Sequence, residues 1–561
     1  MNHENFMRSM LTTRYIPLAL CIGVAVFLPA QSSYVGWTTY HGQYFGNRYS
    51  TLTAINTGNV SGLRPIVSFK PPSANNPSGL ETTPLVSGST MFLTSTNSVY
   101  AYDLANGQSR WSFQRAPSPG VVQDAGSGYN RGVAMSSDSI FLATDNAHLL
   151  SLNRTTGALQ WETTVADYSQ NYGITAAPLY LPGPNLVVTG VSGGDSGIRG
   201  FLAAYNAGNS ASNNNQAPVW KFYTTPGSLS DPGGSTWGSG AVLPHGCGAT
   251  WTTGTYDSAA NILYWGVGNP CRDFNGDDRE GDNLYTSSVL ALNPSSTNPG
   301  GELLWYFQFT PHGLWDADGA NVPMLANASW QGAARNLLFH ANRNGFFYVL
   351  DRGTGEYLAG FPFVNNLTWA TGLDATGRPV VNPAAIPTTA GTMACPPVSG
   401  ATNWGSSAFS PNTSLFYVQA LEYCNVYTKG PLRPWKAGYG FDGGYTGAPP
   451  GMTPQKYVYA FNPLNQRACP QTSCPLSLAW SYPEAGSKTA AMGGVLATAG
   501  GLVFVAEDSG ALSALDASNG NLLWTHTVGN QTWKSSPMTY LLDGKQYVAI
   551  ATPGSVVVYG L

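Results

Sequence analysis

The stretch ALSALDASNGNLLW, Ala511–Trp524, decides the fold. An apolar run ends in Ala514-Leu515-Asp516, a turn containing Gly520 follows, and Trp524 lies in the next apolar run. The same order recurs upstream, as Ala101-Tyr102-Asp103 with Gly107 and Trp111, and as Ser151-Leu152-Asn153 with Gly157 and Trp161. Further copies are Ala204-Tyr205-Asn206, Ala291-Leu292-Asn293 with Trp305, Val349-Leu350-Asp351 with Gly355, and Ala460-Phe461-Asn462 with Trp480. Several neighbouring copies lie 50 to 58 residues apart. The wider gap between Asp351 and Asn462 has room for one extra unit, to which the strand-like Leu415 to Ala420 is assigned.

The physics of the repeat is local. The Asx side chain bonds its own turn and glycine supplies a positive φ there. The tryptophan fills space between neighbouring sheets and satisfies its indole N–H on a backbone carbonyl. A small sheet with two apolar faces is stable only when stacked on others, and radial stacking into a ring leaves no long exposed edge. Seven copies plus the inferred one predict an all-β, eight-bladed β-propeller with tryptophan-docking-type repeats. The strand-like Gln546 to Ile550 and Ser555 to Tyr559 are expected to close the ring, one of them pairing with the segment from Trp37 to Leu52.

Composition agrees. The 561 residues include 66 glycines and 39 prolines, with 12% aromatic but only 10% charged residues, which suits short strands and tight turns. No linker or charged run divides the chain. The net charge of −4 and the lack of a basic run exclude nucleic acid as an expected partner. Residues 1–32 read as an export signal: Arg8 and Arg14 precede the apolar Ile16 to Leu28, and Ala30-Gln31-Ser32 offers a cleavage site before Ser33. The apolar run is too short to span a bilayer, and no later segment approaches that length. Residues 33–561 are then one exported propeller, periplasmic or secreted. Six cysteines remain, an even set that reads as disulfides in an exported chain, with sequence order suggesting 247–271, 395–424 and 469–474. No CxxCH occurs, so the chain attaches no c-type haem.

Several segments exceed what the repeat needs. They include Arg48-Tyr49-Ser50, Glu81-Thr82-Thr83-Pro84, Asn130-Arg131-Gly132, Gly268-Asn269-Pro270, Gly281-Asp282-Asn283-Leu284, Trp315-Asp316-Ala317-Asp318-Gly319, Arg343-Asn344-Gly345 and Gly493-Gly494-Val495. As an ordered set over nearly the whole mature chain, they resemble the quinoprotein alcohol dehydrogenases of the methanol and ethanol dehydrogenase type. The resemblance implies pyrroloquinoline quinone (PQQ) held over a metal ion near the axis of an eight-bladed propeller. It implies Asp316 as catalytic base and Arg343 beside the reactive carbonyl. Cofactor contacts carried over by position are Glu81, Arg131, Thr175, Ser192, Trp251, Arg343 and Asn403, with Trp251 as a flat floor. The implied metal ligands are Asp195, Asn269, Asp316 and Asp318, hard oxygen donors that suit Ca2+ or a lanthanide. The second aspartate, Asp318, resembles the lanthanide-using members. The substrate implied is a small alcohol, and electrons pass to a cytochrome c or a quinone. Subunit number stays open, a homo-oligomer included.

Each residue also has a structural reading: Asp316 and Asn269 as turn residues, Arg343 as a tie between blades, Trp251 as blade packing. The chain departs from the family twice. Asp195 stands where the better-known members have glutamate, one methylene longer. The segment Asp124-Ala125-Gly126-Ser127-Gly128-Tyr129 stands where many members carry adjacent cysteines. Because fold does not imply function, the alternative is a non-catalytic propeller serving as a binding or envelope-assembly module.

Overall fold

The computed structural model describes residues 34–72, 79–126, 128–208, 213–465, 476–486, 493–529 and 532–561. The expected export signal and the expected Cys469–Cys474 bridge fall outside these residues. The fold is all-β, and its helical segments among the described residues are single 3-10 turns. No helix among them is long and apolar enough to cross a membrane.

Among the described residues eight sheets each carry four antiparallel strands; seven take them in chain order and the eighth joins Arg64–Phe69 to the last three strands. Their middle strands are apolar on both faces: Leu186–Gly190 and Leu502–Ala506 are buried at every position. Their last strands are half exposed, as in Ser109–Phe113 and Leu522–Thr527. This gradient is what stacked sheets require, with inner strands covered by both neighbours and outer ones facing water.

The repeat residues join sheet to sheet. Asp516 Oδ1 accepts the Ser518 N–H at 2.8 Å, and Asp103 Oδ1 accepts that of Ala105 at 2.8 Å, so the Asx side chains hold their own turns. The indole Nε1 of Trp111 donates to Arg154 O at 3.1 Å, Trp305 to Arg352 O at 3.2 Å and Trp480 to Ala517 O at 3.1 Å, each on the turn of the next repeat. The turn glycine there has two reasons to be glycine. At Gly157, Gly355 and Gly520 φ is +74°, +77° and +76°, and a Cβ would come within 2.4, 2.6 and 2.6 Å of Trp111, Trp305 and Trp480.

Two expectations are corrected. Leu415–Glu422 pairs with Gln455–Phe461 in the sheet that carries Asn462, so the gap holds no extra repeat. That gap instead carries a separate three-stranded sheet of Thr392–Ala394, Asn425–Lys429 and Gly444–Gly447. The eighth sheet is built from the chain ends, and the closing pair is Val556–Gly560 with Arg64–Phe69, not with residues 37–52. Tyr49–Ser50 serves another sheet, pairing in parallel with Val495–Thr498. The bridges Cys247–Cys271 and Cys395–Cys424 are formed.

Candidate functional site

In an antiparallel sheet the first strand begins where the second ends. The segments before first strands and after second strands therefore gather at one end of the stacked sheets. Glu81 precedes Leu85–Ser87, Arg131 precedes Ala134–Met135, Thr175 precedes Leu179–Leu181 and Trp251 precedes Thr255–Asp257. Asp316 and Asp318 precede Met324–Trp330, and Asn403 precedes Ala408–Ser410. From the other side, Ser192 and Asp195 follow Leu186–Gly190, Asn269 follows Ile262–Gly266, and Arg343 follows Ala333–Ala341. All of these side chains line one cavity of about 260 Å³. The candidates from the sequence thus lie together; the cavity adds Gln123, Asp124, Tyr129, Trp404 and Lys534, which were not among them.

One half of the cavity is organised by Arg343, only 6% exposed. Its Nη1 meets Asp318 Oδ2 at 2.5 Å, while Nη2 meets Asp316 Oδ2 at 2.9 Å and donates to Val398 O at 2.5 Å. Asp318 in turn accepts from Asn269 N–H at 2.8 Å on Oδ1 and from Trp251 Nε1 at 3.2 Å on Oδ2. A single carboxylate thus sets the floor indole, the arginine and the Asn269 loop. Asn269 directs Nδ2 to Asp273 Oδ1 at 2.7 Å, and its Oδ1 makes no hydrogen bond among the described residues. Asp316 holds a left-handed backbone (φ +53°), an uncommon conformation for a non-glycine residue. The Trp315 indole beside it is anchored on Ala385 O at 3.0 Å.

The electrostatics follow from burial. Burial pushes the Asp316 carboxyl up to about 7, against the pull of Arg343 and with the push of Asp318. Burial, then Asp316, Asp124, Asp318 and Asp442, raise Asp195 well above the usual carboxylate range. Asp273 is raised in the same way, by burial and then by Asp195 and Asp316. Burial alone would lower Arg343, but Asp316 and Asp318 raise it overall. Among the described residues no three acidic, His or Cys side chains converge tightly enough to form a closed ion cage. The arrangement is an open set of hard oxygen donors, several of them carboxyls that burial and mutual repulsion push towards the protonated form in the absence of a cation.

The other half is cationic and aromatic. The Arg131 guanidinium lies 4.9 Å from the Trp251 ring and 4.4 Å from that of Trp404. It donates to Thr175 Oγ1 at 2.6 Å and pairs with Glu81 at 3.1 Å. Lys534 stands 3.8 Å from Glu81 and 4.8 Å from the centre of the Tyr129 ring. Burial raises Glu81, against the pull of Arg131 and Lys534. Ser192 Oγ donates to Ala125 O at 2.6 Å, and Asp124 accepts from Ser196 Oγ at 2.5 Å while its Oδ2 lacks a partner. Asn403 is tied within its own turn, to Ser399 O and Trp404 N–H, both at 2.8 Å. The cavity can therefore take a flat anionic molecule on Trp251 and a hard cation beside Asp195, Asn269 and Asp316.

Comparison with known proteins agrees with this reading. The family model described as "PQQ: Glucose/ethanol/alcohol dehydrogenase, beta-propeller domain" matches residues 37–364 and 470–548. Quinoprotein alcohol dehydrogenase PedH of Pseudomonas putida is 35% identical over 542 residues, covering 92% of this chain and 86% of the relative. The putative dehydrogenase XoxF of Paracoccus denitrificans is 32% identical, over 92% and 86% of the two chains. Among solved structures, a europium-containing methanol dehydrogenase superposes with a TM-score of 0.82 at 28% identity, covering 94% of this chain and 98% of that one. The quinohemoprotein alcohol dehydrogenase of Comamonas testosteroni gives 0.82 at 28%, over 94% and 80%. With matches of this extent along the β-sheets that build the cavity, the chain belongs to the family of PQQ-dependent quinoprotein alcohol dehydrogenases.

Proposed function

We propose that residues 33–561 form an exported, eight-bladed propeller with tryptophan docking that oxidises an alcohol to an aldehyde or ketone in the periplasm. Residues 1–32 act as the export signal, and electrons leave on a separate acceptor such as a cytochrome c. The observation that carries the reading is the Asp316–Arg343–Asp318 bridge beside the Trp251 floor. A structural tie between sheets would not need two buried carboxylates on one guanidinium at a cavity wall.

The residues fit both groups that the family implies. The Arg131 guanidinium, whose Nε has no hydrogen-bond partner among the described residues, and the nearby Lys534 offer cationic partners to an anionic ring system lying on Trp251. The excess of carboxylates, with the free Asn269 Oδ1, suits calcium or a lanthanide, held by Asp195, Asn269, Asp316 and Asp318. When bound, the quinone supplies an electrophilic carbonyl carbon that accepts hydride, and the ion supplies Lewis-acid polarisation of that carbonyl.

The chain's own residues do the rest. Arg343 fixes Asp316 through Oδ2, which leaves Oδ1 to take the alcohol's hydroxyl proton. Arg343 would also supply positive charge to stabilise negative charge developing on a carbonyl oxygen bound beside it. Arg131 and Lys534 would pair with the cofactor's carboxylates, and Trp251 and Trp404 would offer it flat apolar faces.

The test is reconstitution. Protein incubated with PQQ and either calcium or lanthanum should acquire quinone absorbance and reduce an artificial acceptor when an alcohol is added. Lack of bound quinone together with no turnover of any alcohol would favour the non-catalytic module instead.

A further inference from the structure

Asp195 presents a puzzle that its own turn does not resolve. The Gly194–Ser196 segment is a single 3-10 turn flanked by Gly193 and Gly197, both at positive φ (+106° and +75°). The Asp195 carboxylate makes no hydrogen bond among the described residues, so nothing local directs it. A flanking glycine pair allows many conformations, and a ligand held there needs an outside constraint.

That constraint comes from a distant part of the chain. Residues 430–443 cross the turn as a mostly exposed strap whose two inward aromatic side chains are Trp435 and Phe441. Trp435 Nε1 donates to Ser196 O at 2.9 Å, and its indole lies where a Cβ on Gly197 would sit, 2.4 Å away. The Phe441 N–H donates to Asp195 O at 2.6 Å. Asn171 staples the two together: its Nδ2 donates to Ser196 O at 2.8 Å and its Oδ1 accepts from Gly438 N–H at 2.7 Å. The far face of the indole stacks on His245 at 4.1 Å and 11°, and His245 Nδ1 lies 2.7 Å from Gly197 O. Beneath, Cys247–Cys271 packs in one apolar cluster with Phe441 and Trp435.

We infer that the 430–443 strap, through Trp435, is the positioning element that presses the Asp195 turn towards the cavity and sets ion affinity without touching the ion. This rests on the reading of Asp195 as an ion ligand. It explains how a side chain as short as aspartate can serve at that position: the backbone is brought inward and held. The strap and the ligand length are then two parts of one fit, so their substitutions must be strongly non-additive.

The experiment measures ion binding directly. PQQ-loaded protein, stripped of ions by a chelator, is titrated calorimetrically with lanthanum chloride and with calcium chloride. Trp435→Ala should weaken binding by about 10- to 100-fold, the range for residues that orient ligands. Asp195→Glu alone should also weaken it, because the longer side chain overshoots a fixed turn. In the double variant the longer carboxylate meets a relaxed turn, and affinity should return towards the wild-type value. Circular dichroism and urea unfolding check the fold, and Trp435→Leu, which keeps apolar bulk but loses the indole bond, replaces Trp435→Ala if that variant does not fold. Wild-type affinity in the strap variant, or simple additivity in the double variant, would overturn the inference. Unchanged binding in Asp195→Asn would instead overturn the ligand reading beneath it.

Discussion

Arg343→Gln is the substitution whose consequences the structure sets most tightly. The guanidinium is nearly buried and serves Asp318, Asp316 and the Val398 carbonyl at 2.5, 2.9 and 2.5 Å. Glutamine is neutral and shorter, and it leaves two buried carboxylates uncompensated beside Asp195. Removing one partner of a buried pair costs about 3–5 kcal/mol, because the other charge stays desolvated. The ion-free variant should therefore lose about that much stability at neutral pH, read from the urea midpoint by tryptophan fluorescence. Lanthanum or calcium should restore part of the loss, since a cation among the same carboxylates takes over the compensation. Turnover should fall by roughly 10²–10³, the usual cost of removing a donor to developing negative charge. Arg343→Lys should recover more stability than activity, because an ammonium cannot span both carboxylates. An ion-free Arg343→Gln protein as stable as wild type would refute the charge argument.

Two further outcomes test the scaffold. Gly520→Ala should lower stability by about 2–4 kcal/mol, combining a left-handed alanine with displacement of the Trp480 indole, and urea unfolding of that variant checks it. The buried Lys456 lies 3.0 Å from Asp508 and 3.5 Å from Glu484, whose carboxyl burial pushes up to about 7, against the pull of Lys456. The folded chain then keeps a proton that the unfolded chain has released above pH 4.5. Stability should fall as pH rises from about 4.5 to 7, by an order of 3 kcal/mol, and Glu484→Gln should flatten that slope. Identical slopes in the two proteins would contradict it.

The repeat was legible because its chemistry is local: Asp103, Asn153 and Asp516 bond their own turns, and Gly157 and Gly520 receive the preceding tryptophan. Ring closure was legible only in part. Arg64–Phe69 carries Pro65 and mostly exposed residues, so it does not read as the partner of an apolar C-terminal strand. Leu415–Glu422 reads as a strand, but the insertion between it and Gln455–Phe461 hides that the two are neighbours. The candidate site residues could be singled out because they stand just before first strands and just after second strands, in segments richer in polar residues than the repeat needs. Lys534 had a signal of the same kind, standing four residues before Met538–Leu542 as Glu81 stands before Leu85–Ser87. Asp273, Asp442 and Trp435 had none, because their roles depend on loops that meet only in the folded chain.

The most direct test of the central claim is Asp316→Asn in protein loaded with PQQ and its ion. The account predicts quinone absorbance close to wild type, since Trp251, Arg131 and Lys534 remain, with alcohol-dependent reduction of the artificial acceptor lost by at least about 10², as expected when a general base is removed. Turnover equal to wild type in that variant would contradict the assignment of this cavity's chemistry to Asp316.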